Sequence, residues 1–282
     1  MNILTFDIEE WFHLLDNEST KNENQWNNFP SRIHSNMDLI FKILDKSNTK
    51  ASFFVLGWIA EKYPEIVREI KDRGYEIGSH THFHQLSYNQ SKNEFFQDVD
   101  RSIKTLEDIT GDKVKMFRAP GFSITEKNLW AFEILFELGI EIDSSVFPAG
   151  RSHGGMPNYS MASPSIIKYN GVEIKEFPIN TKKIYSKSLI FSGGGYFRLL
   201  PYNLIKQFSK NSEYIMSYFH PRDFDYNQPL INDLSFNRKF KSYVGLKNSE
   251  KKLRNWLSDF NFSDIKEADD NINWNNIKKL NL

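Results

Sequence analysis

Short apolar runs that end in polar, chemically reactive residues recur along this chain, and they constrain its fold more than any other feature. The residues at these endings are Asp7 with Glu9, His80, Arg118, Asp143 and His220. Segments with helical spacing lie between them, such as residues 92–109. Alternating strands and helices favour a parallel sheet or barrel, in which catalytic side chains collect where the strands end. We therefore expect one composite site.

The spacing of apolar residues predicts further elements. Helices are expected over residues 61–73, 125–138 and 249–259, and strands over residues 114–117, 140–144 and 260–268. At 282 residues the chain is long enough for a single α/β barrel domain, and no low-complexity linker divides it. Residues from about 226 to 282 are predicted to form an extension packed on that domain.

Two acidic residues at the start of the chain and two histidines in its first third form a candidate metal site. Residues 1–7 are predicted to form a buried strand, and Asp7 and Glu9 share one face of it if the backbone stays extended. His80 follows a strand predicted over residues 75–79, and His84 reaches the same side if the chain turns helically there. A carboxylate with two imidazoles is a common open site for zinc or a similar ion.

Each of these residues, taken alone, also has an ordinary structural explanation. A lone His-x-x-x-His pair is more often structural or exposed than metal-binding. Arg118 would serve equally in a surface ion pair, and His220, which precedes Pro221, would serve as a capping residue at a strand end. The functional reading therefore depends on the whole set.

The set resembles the polysaccharide deacetylase family, the NodB-homology or carbohydrate esterase 4 group, and within it a branch from bacterial exopolysaccharide clusters. Residues 51–58, 176–178 and 193–201 extend the resemblance over nearly the whole chain. It implies an α/β fold, a distorted seven-stranded (β/α) barrel of the NodB-homology type. Extra β-hairpins and a C-terminal α/β extension would complete it.

The resemblance also implies catalytic roles. Asp7 would be the general base, Arg118 would orient it, and His220 would be the general acid. His80 and His84 would be metal ligands. The family's commonest form has an aspartate ligand directly after the base, where this chain has Ile8.

The third metal ligand is therefore open between two glutamates. Other members of the family carry the ligand two residues after the base, so Glu9 is preferred to Glu10. His82 lies between the two ligand histidines and is expected to face away.

Several residues are assigned supporting roles. The backbone N–H of Gly121 is the candidate donor to the oxyanion, and Asp143 corresponds to an acidic group that orients the catalytic histidine. Residues predicted to contact substrate are Trp11, Gly121, Tyr196, Arg198 and Phe219.

The sequence thus predicts a metal-dependent hydrolase that removes an N-acetyl group from an acetamido sugar in a polysaccharide, an oligosaccharide or a lipid-linked glycan precursor. One divalent ion would be required, zinc first, with cobalt or nickel as alternatives. Asp7 would take a proton from the attacking water, and His220 would protonate the departing amine. Hydrolysis of an O-acetyl ester or a cyclic amide (ureide), and glycan binding by a degenerate site, remain alternatives.

Composition limits the partners and the location. With 36 basic and 36 acidic residues the net charge is zero, which argues against nucleic acid. The absence of cysteine excludes disulfides and thiolate ligands. No apolar stretch approaches the roughly 20 residues of a membrane span. The first strand begins at Met1 without a secretory signal pattern, so a cytoplasmic protein is predicted.

Overall fold

The computed structural model describes residues 1–15, 17–151, 153–184 and 187–282. The helices in this part of the chain are α1 (Ile33–Ser47), α2 (Gly57–Lys62), α3 (Pro64–Asp72), α4 (Lys92–Thr110), α5 (Trp130–Glu137), α6 (Gly194–Leu199), α7 (Tyr202–Lys210), α8 (Phe236–Tyr243), α9 (Leu246–Asp259) and α10 (Ile265–Asn271). The strands are β1 (Asn2–Ile3), β2 (Thr5–Ile8), β3 (Ser52–Val55), β4 (Glu76–Ser79), β5 (Met116–Phe117), β6 (Ile142–Asp143), β7 (Ser165–Tyr169), β8 (Val172–Glu176), β9 (Lys182–Ile184), β10 (Lys187–Leu189), β11 (Ile215–Met216) and β12 (Lys279–Asn281).

One sheet of eight strands organises the molecule. Its strand order is β12-β7-β8-β6-β5-β4-β3-β2, and the run from β2 to β8 is parallel throughout. Strands β7 and β8 form an antiparallel hairpin, as do β9 and β10. Because parallel strands end on the same side of a sheet, the residues that follow β2, β4, β5 and β6 are brought together. The predicted α/β class and the extra hairpins are confirmed.

The sheet continues past β2 through a short parallel pair. Strand β1 pairs with β11, and a bridge between Phe6 and Phe219 carries this pairing alongside β2. Beyond β11, side chains span the gap to the segment that follows β8: Asn180 Oδ1 accepts from the N–H of Met216 (2.9 Å), and the Tyr214 hydroxyl donates to the carbonyl of Pro178 (2.8 Å). We call these side-chain hydrogen bonds the seam of the sheet. In the described residues the strands thus form an eight-stranded sheet with this seam, and not a seven-stranded ring closed by backbone pairing.

A charged side chain occupies the interior of the curved sheet. Arg118 has no exposed surface, and its guanidinium reaches Thr5 and Asp7 of β2 as well as Ser144, which follows β6. The ring of Phe54 lies 4.2 Å from the guanidinium carbon. Strands that are not neighbours in the sheet are thus joined from inside at their carboxyl ends.

Several predicted elements have different bounds from those expected. Helix α4 agrees with the prediction, but the helix expected over residues 61–73 is divided into α2 and α3 because Pro64 starts a new helix. Helix α5 begins at Trp130, after a turn in which Asn128 accepts from the N–H of Thr125. The strand expected over residues 260–268 is wrong, since α10 begins at Ile265 within it.

The C-terminal residues pack against the sheet through α9 and β12. Trp256 of α9 is fully buried against Phe197 and Phe219, and β12 pairs in parallel with β7. The single-domain assignment with an extension from about residue 226 stays a prediction. In the part of the chain that the structure describes, no helix has both the length and the apolar character needed to cross a bilayer.

Candidate active site

Three buried side chains from separate segments converge on one point. Oε1 of Glu9 lies 3.1 Å from Nε2 of His80 and 3.0 Å from Nε2 of His84. Ligand atoms of all three residues lie within 4.8 Å of one another. A carboxylate oxygen and two imidazole nitrogens pointing at a common space fit a divalent ion such as zinc, and they leave positions free for water and substrate. These are the residues that the sequence assigned to the metal.

A loop, and not the expected helical turn, brings His84 to His80. Thr81 and His84 both have left-handed backbone conformations, with φ of 66° and 55°. Asp98 of α4 holds this loop by accepting from the backbone N–H groups of His82 and Phe83. His82 faces away from the site, as predicted, and its Nε2 lies 3.6 Å from Glu61. Positive φ is uncommon for residues other than glycine, so the contacts with Asp98 help to keep this loop in its conformation.

The ring of His80 is oriented by the backbone of the next strand. Its Nδ1 lies 2.7 Å from the carbonyl oxygen of Arg118, which can only accept a hydrogen bond. Nδ1 therefore donates to this carbonyl, and Nε2 is the ring nitrogen that faces Glu9. Metal-binding histidines are commonly fixed in this way.

Glu9 is ionised in this environment. Burial alone would raise its pKa, but the neighbouring His84 and His220 and a hydrogen bond with His80 hold the pKa of Glu9 well below its ordinary value. A buried carboxylate that stays charged is a strong ligand for a cation.

Glu10 makes different contacts from Glu9, and these contacts distinguish the two candidate metal ligands. Its Oε1 accepts from the N–H groups of Arg32 (2.9 Å) and Ile33 (3.1 Å) and from the hydroxyl of Ser31 (2.5 Å). These donors lie at the start of α1, where backbone N–H groups have no partner within the helix. Glu10 therefore caps α1, and of the two glutamates it is Glu9 that lies with His80 and His84.

Replacing Glu10 by alanine is expected to destabilise the protein by about 1–2 kcal/mol, because the start of α1 loses its acceptor. Metal content should remain unchanged, since Glu10 does not take part in the cluster of Glu9, His80 and His84. Chemical denaturation measures the first quantity and elemental analysis the second. Loss of metal in a folded Glu10→Ala variant would contradict this division of roles.

Asp7 lies beside the cluster of Glu9, His80 and His84 and is held by Arg118. Its Oδ1 accepts from Nη1 of Arg118 at 2.7 Å, and its Oδ2 lies 3.9 Å from Nε2 of His220. Nε2 of His220 is also 3.6 Å from Glu9. Asp7 and Glu9 therefore face the same space, as the alternation along the first strand predicted.

His220 is held by an aspartate that the sequence analysis did not assign. Asp223 Oδ2 accepts from both the backbone N–H and the Nδ1 of His220, at 2.9 and 3.1 Å. Burial disfavours the charged ring, but Glu9, Asp223 and Asp7 together raise the pKa of His220 to about 9. Burial likewise opposes ionisation of Asp223, yet Arg198 and His220 lower its pKa to about 2. The spacing of three residues between His220 and Asp223, with Pro221 between them, is the sequence signal for this contact.

Arg198 supports this aspartate and does not line a substrate wall. Its Nε lies 3.0 Å from Asp223, and its other nitrogens donate to the carbonyls of Lys241, Ser242 and Val244. The predicted substrate contact is wrong because this side chain is 6% exposed. Its place is behind the catalytic histidine.

Two aromatic residues predicted to contact sugar lie in the core instead. Trp11 packs edge-on against Phe12 and Phe29, and its indole N–H donates to the carbonyl of Pro30. Phe219 is fully buried against Phe197. Sequence alone does not separate these rings from exposed ones, because apolar side chains fit both environments.

Asp143 does not orient His220. Its carboxylate accepts from the N–H and hydroxyl of Ser145, which in turn accepts from the N–H of Ala119. Burial, and then the neighbouring Asp143, raise the pKa of Glu176 well above its ordinary value. The pair supports the segment after Arg118.

Two candidates remain, Gly121 and Tyr196. Gly121 has φ of 61°, and a Cβ there would come within 2.8 Å of Leu15. Tyr196 is exposed on α6. A polar cleft of about 780 Å³ opens beside His84, and Trp26, Asn24, Gln85 and Asn89 are among its walls. The roles assigned to Gly121 and Tyr196 stay predictions.

Comparison with known families and sequences gives two adjoining matches. Residues 16–138 match the family model described as polysaccharide deacetylase, and residues 144–270 match a domain of unknown function, DUF3473. The peptidoglycan-N-acetylglucosamine deacetylase of Bacillus cereus is 38% identical over 96 residues, which are 33% of this chain and 35% of that protein. The chitooligosaccharide deacetylase of Azorhizobium caulinodans is 34% identical over 82 residues, 29% of this chain and 39% of that protein. The chain thus spans little more than a third of the length of these curated relatives.

A solved structure shows the same fold over nearly the whole length. The crystal structure of a "putative polysaccharide deacetylase" from Mycobacterium smegmatis superposes with a TM-score of 0.67, covering 99% of this chain and 92% of that one at 16% identity. At this identity the likeness concerns the fold alone.

Proposed function

We propose that this chain, residues 16–138 of which match the polysaccharide deacetylase family model, is a metal-dependent hydrolase that removes the N-acetyl group from an acetamido sugar of a glycan or glycan precursor. The observation that carries the proposal is the arrangement of two adjacent groups of side chains. Glu9, His80 and His84 present ligand atoms to one point, and Asp7 and His220 flank it. A metal centre with a base and an acid beside it is what amide hydrolysis requires.

The donor set suits a divalent ion, and zinc fits one carboxylate and two imidazoles best, with cobalt or nickel as alternatives. When bound, such an ion would supply Lewis acidity, activating water and polarising the acyl carbonyl. Asp7 would accept the proton of the attacking water through the oxygen that does not face Arg118. Arg118 fixes the carboxylate for this task, because its own side chain is held by Thr5 and Ser144.

Cleavage of the amide needs a proton on the departing nitrogen. His220 is placed to give it. Its Nδ1 donates a hydrogen bond to Asp223, and its Nε2 faces Asp7 and Glu9. Although burial opposes it, the charges of Glu9, Asp223 and Asp7 raise the pKa of this ring, which favours the protonated form that can donate. A positioned acid of this kind contributes about 10²- to 10⁴-fold to the rate.

The polar cleft beside His84 supports a sugar substrate. Its walls carry the amide side chains of Asn22, Asn24, Gln85 and Asn89. Amides offer both donors and acceptors, which suit the hydroxyl and acetamido groups of an uncharged glycan. The two curated relatives are named for the deacetylation of peptidoglycan N-acetylglucosamine and of chitooligosaccharide, which supports this choice.

The proposal is tested by chelation and reconstitution of the purified protein. Acetate release from N-acetylglucosamine oligomers should stop after treatment with a chelator and return on addition of zinc, cobalt or nickel. Acetyl esters and cyclic ureides are assayed in parallel. Turnover of these substrates alone would reassign the reaction. Glycan binding that survives chelation, with no hydrolysis under any metal, would show that the protein is a carbohydrate-binding protein instead.

A further inference from the structure

The two phenylalanines of helix α8 face solvent and not the core of the protein. Phe236 is 84% exposed and Phe240 is 53% exposed, and a spacing of four residues places them on one face. No residue of α8, all of which the structure describes, is buried. Arg238 projects from the opposite side and donates to the carbonyl of Leu15, so that side faces the protein. Surface helices of globular proteins normally show the reverse arrangement.

Two further exposed apolar residues extend this surface. Leu199 is 50% exposed and lies beside the end of α8, because the preceding Arg198 binds the carbonyls of residues 241 and 242. Leu230 is 64% exposed, and its two neighbours in the chain hydrogen-bond to the hydroxyl of Tyr243 in α8. We call Leu199, Leu230, Phe236 and Phe240 the apolar face of α8. Exposed apolar residues gathered around one helix are typical of interaction sites.

The chain around the apolar face is strongly basic. Residues 234–249 contain Arg238, Lys239, Lys241 and Lys247 and no aspartate or glutamate. This local excess stands out in a chain whose net charge is zero. Basic residues beside exposed Phe and Leu are the composition of helices that lie in the interfacial region of a bilayer.

We propose that the apolar face of α8 and the lysines around it bind the surface of a membrane that contains anionic lipids. Phe236 and Phe240 would enter the boundary between headgroups and acyl chains, and Lys239 and Lys241 would contact lipid phosphates. A protein partner fits less well, because lysine is depleted at protein–protein interfaces whereas it is enriched on the polar face of interfacial helices.

The surface lies close to the candidate active site. Arg198 connects the carbonyls at the end of α8 to Asp223, which holds His220. A protein docked through this surface would present its active site near the membrane, where a lipid-linked glycan is found. That last consequence rests on the proposed function, whereas the membrane binding does not.

Vesicle sedimentation tests the proposal. The full chain should sediment with vesicles of equal parts phosphatidylglycerol and phosphatidylcholine, and less with phosphatidylcholine alone. Replacing both rings, Phe236→Ser with Phe240→Ser, should lower the partition coefficient roughly tenfold or more, because the buried apolar area is lost. Lys239→Gln with Lys241→Gln should lower it roughly tenfold on the anionic vesicles only, and added salt should have the same effect.

Phe136→Ser is the matched control. Phe136 lies on α5 and is 51% exposed, similar to Phe240, so its loss should leave vesicle binding unchanged. All variants should melt as the wild type does, since they alter exposed side chains. Failure of the wild type to sediment, or equal loss in the control, would overturn the proposal. A dimer that the double Phe variant converts to a monomer, without vesicle binding, would show that the surface joins two copies of the chain. Acetate release in solution is measured separately, so failure here leaves the proposed function untouched.

Discussion

Replacement of Glu9 by alanine is expected to remove bound metal and acetate release together. Glu9 is the only carboxylate in the described three-residue cluster, and two histidines alone leave a divalent ion with too few protein ligands for a stable site. Elemental analysis of the purified variant should show metal at background where the wild type is stoichiometric. The metal readout does not depend on knowing the substrate.

Glu10→Ala is the matched control for this experiment, since it removes the same chemical group from the adjacent position. It should keep its metal and lose stability instead, because its carboxylate caps α1. Full metal occupancy in Glu9→Ala would contradict the assigned ligand set. Loss of metal in Glu10→Ala alone would exchange the roles of the two residues.

Asp7→Asn is expected to lower acetate release by about 10²- to 10⁴-fold and to leave the metal in place. Asparagine has the same shape and keeps an oxygen for Arg118, but it cannot accept the proton of the attacking water. Alanine would be a poorer choice, because it would leave the buried guanidinium without its partner. The measurements are acetate release at saturating glycan, metal content and thermal stability.

Asp225→Asn controls for the neutralisation of a buried carboxylate in an ion pair. Asp225 is 6% exposed and pairs with Arg32 (2.9 Å), whose side chain is 30% exposed. It should cost stability with little effect on turnover. A reduction in rate as large in Asp225→Asn as in Asp7→Asn would mean that Asp7 acts through the fold. Unimpaired turnover in Asp7→Asn would exclude it as the base.

The convergence of Asp7, Glu9, His80 and Arg118 was predictable from sequence. Each follows or ends a short apolar strand, and parallel strands end at the same side of a sheet, so position along the chain determined position in space. The alternation of side chains along β2 also predicted that Asp7 and Glu9 share a face.

Other features depended on contacts that no local pattern encodes. His84 reaches the cluster through two left-handed residues, whereas its spacing from His80 suggested a helix. The core positions of Trp11 and Phe219 follow from packing between elements distant in sequence. Arg198 was expected to face substrate, and only the fold shows it behind Asp223.

The seam of the sheet bears on which segments of the chain can change in length. Asn180 and Ser192 flank the β9–β10 hairpin, and the hydroxyl of Ser192 donates to the same oxygen of Asn180 that receives the N–H of Met216. The two ends of the hairpin are therefore held together by the hydrogen bond between Ser192 and Asn180. Insertions and exchanges are best tolerated where the ends of a segment are held independently of its length. We therefore expect that changes in the length of strands β9 and β10 leave the pairing of the main sheet unaltered.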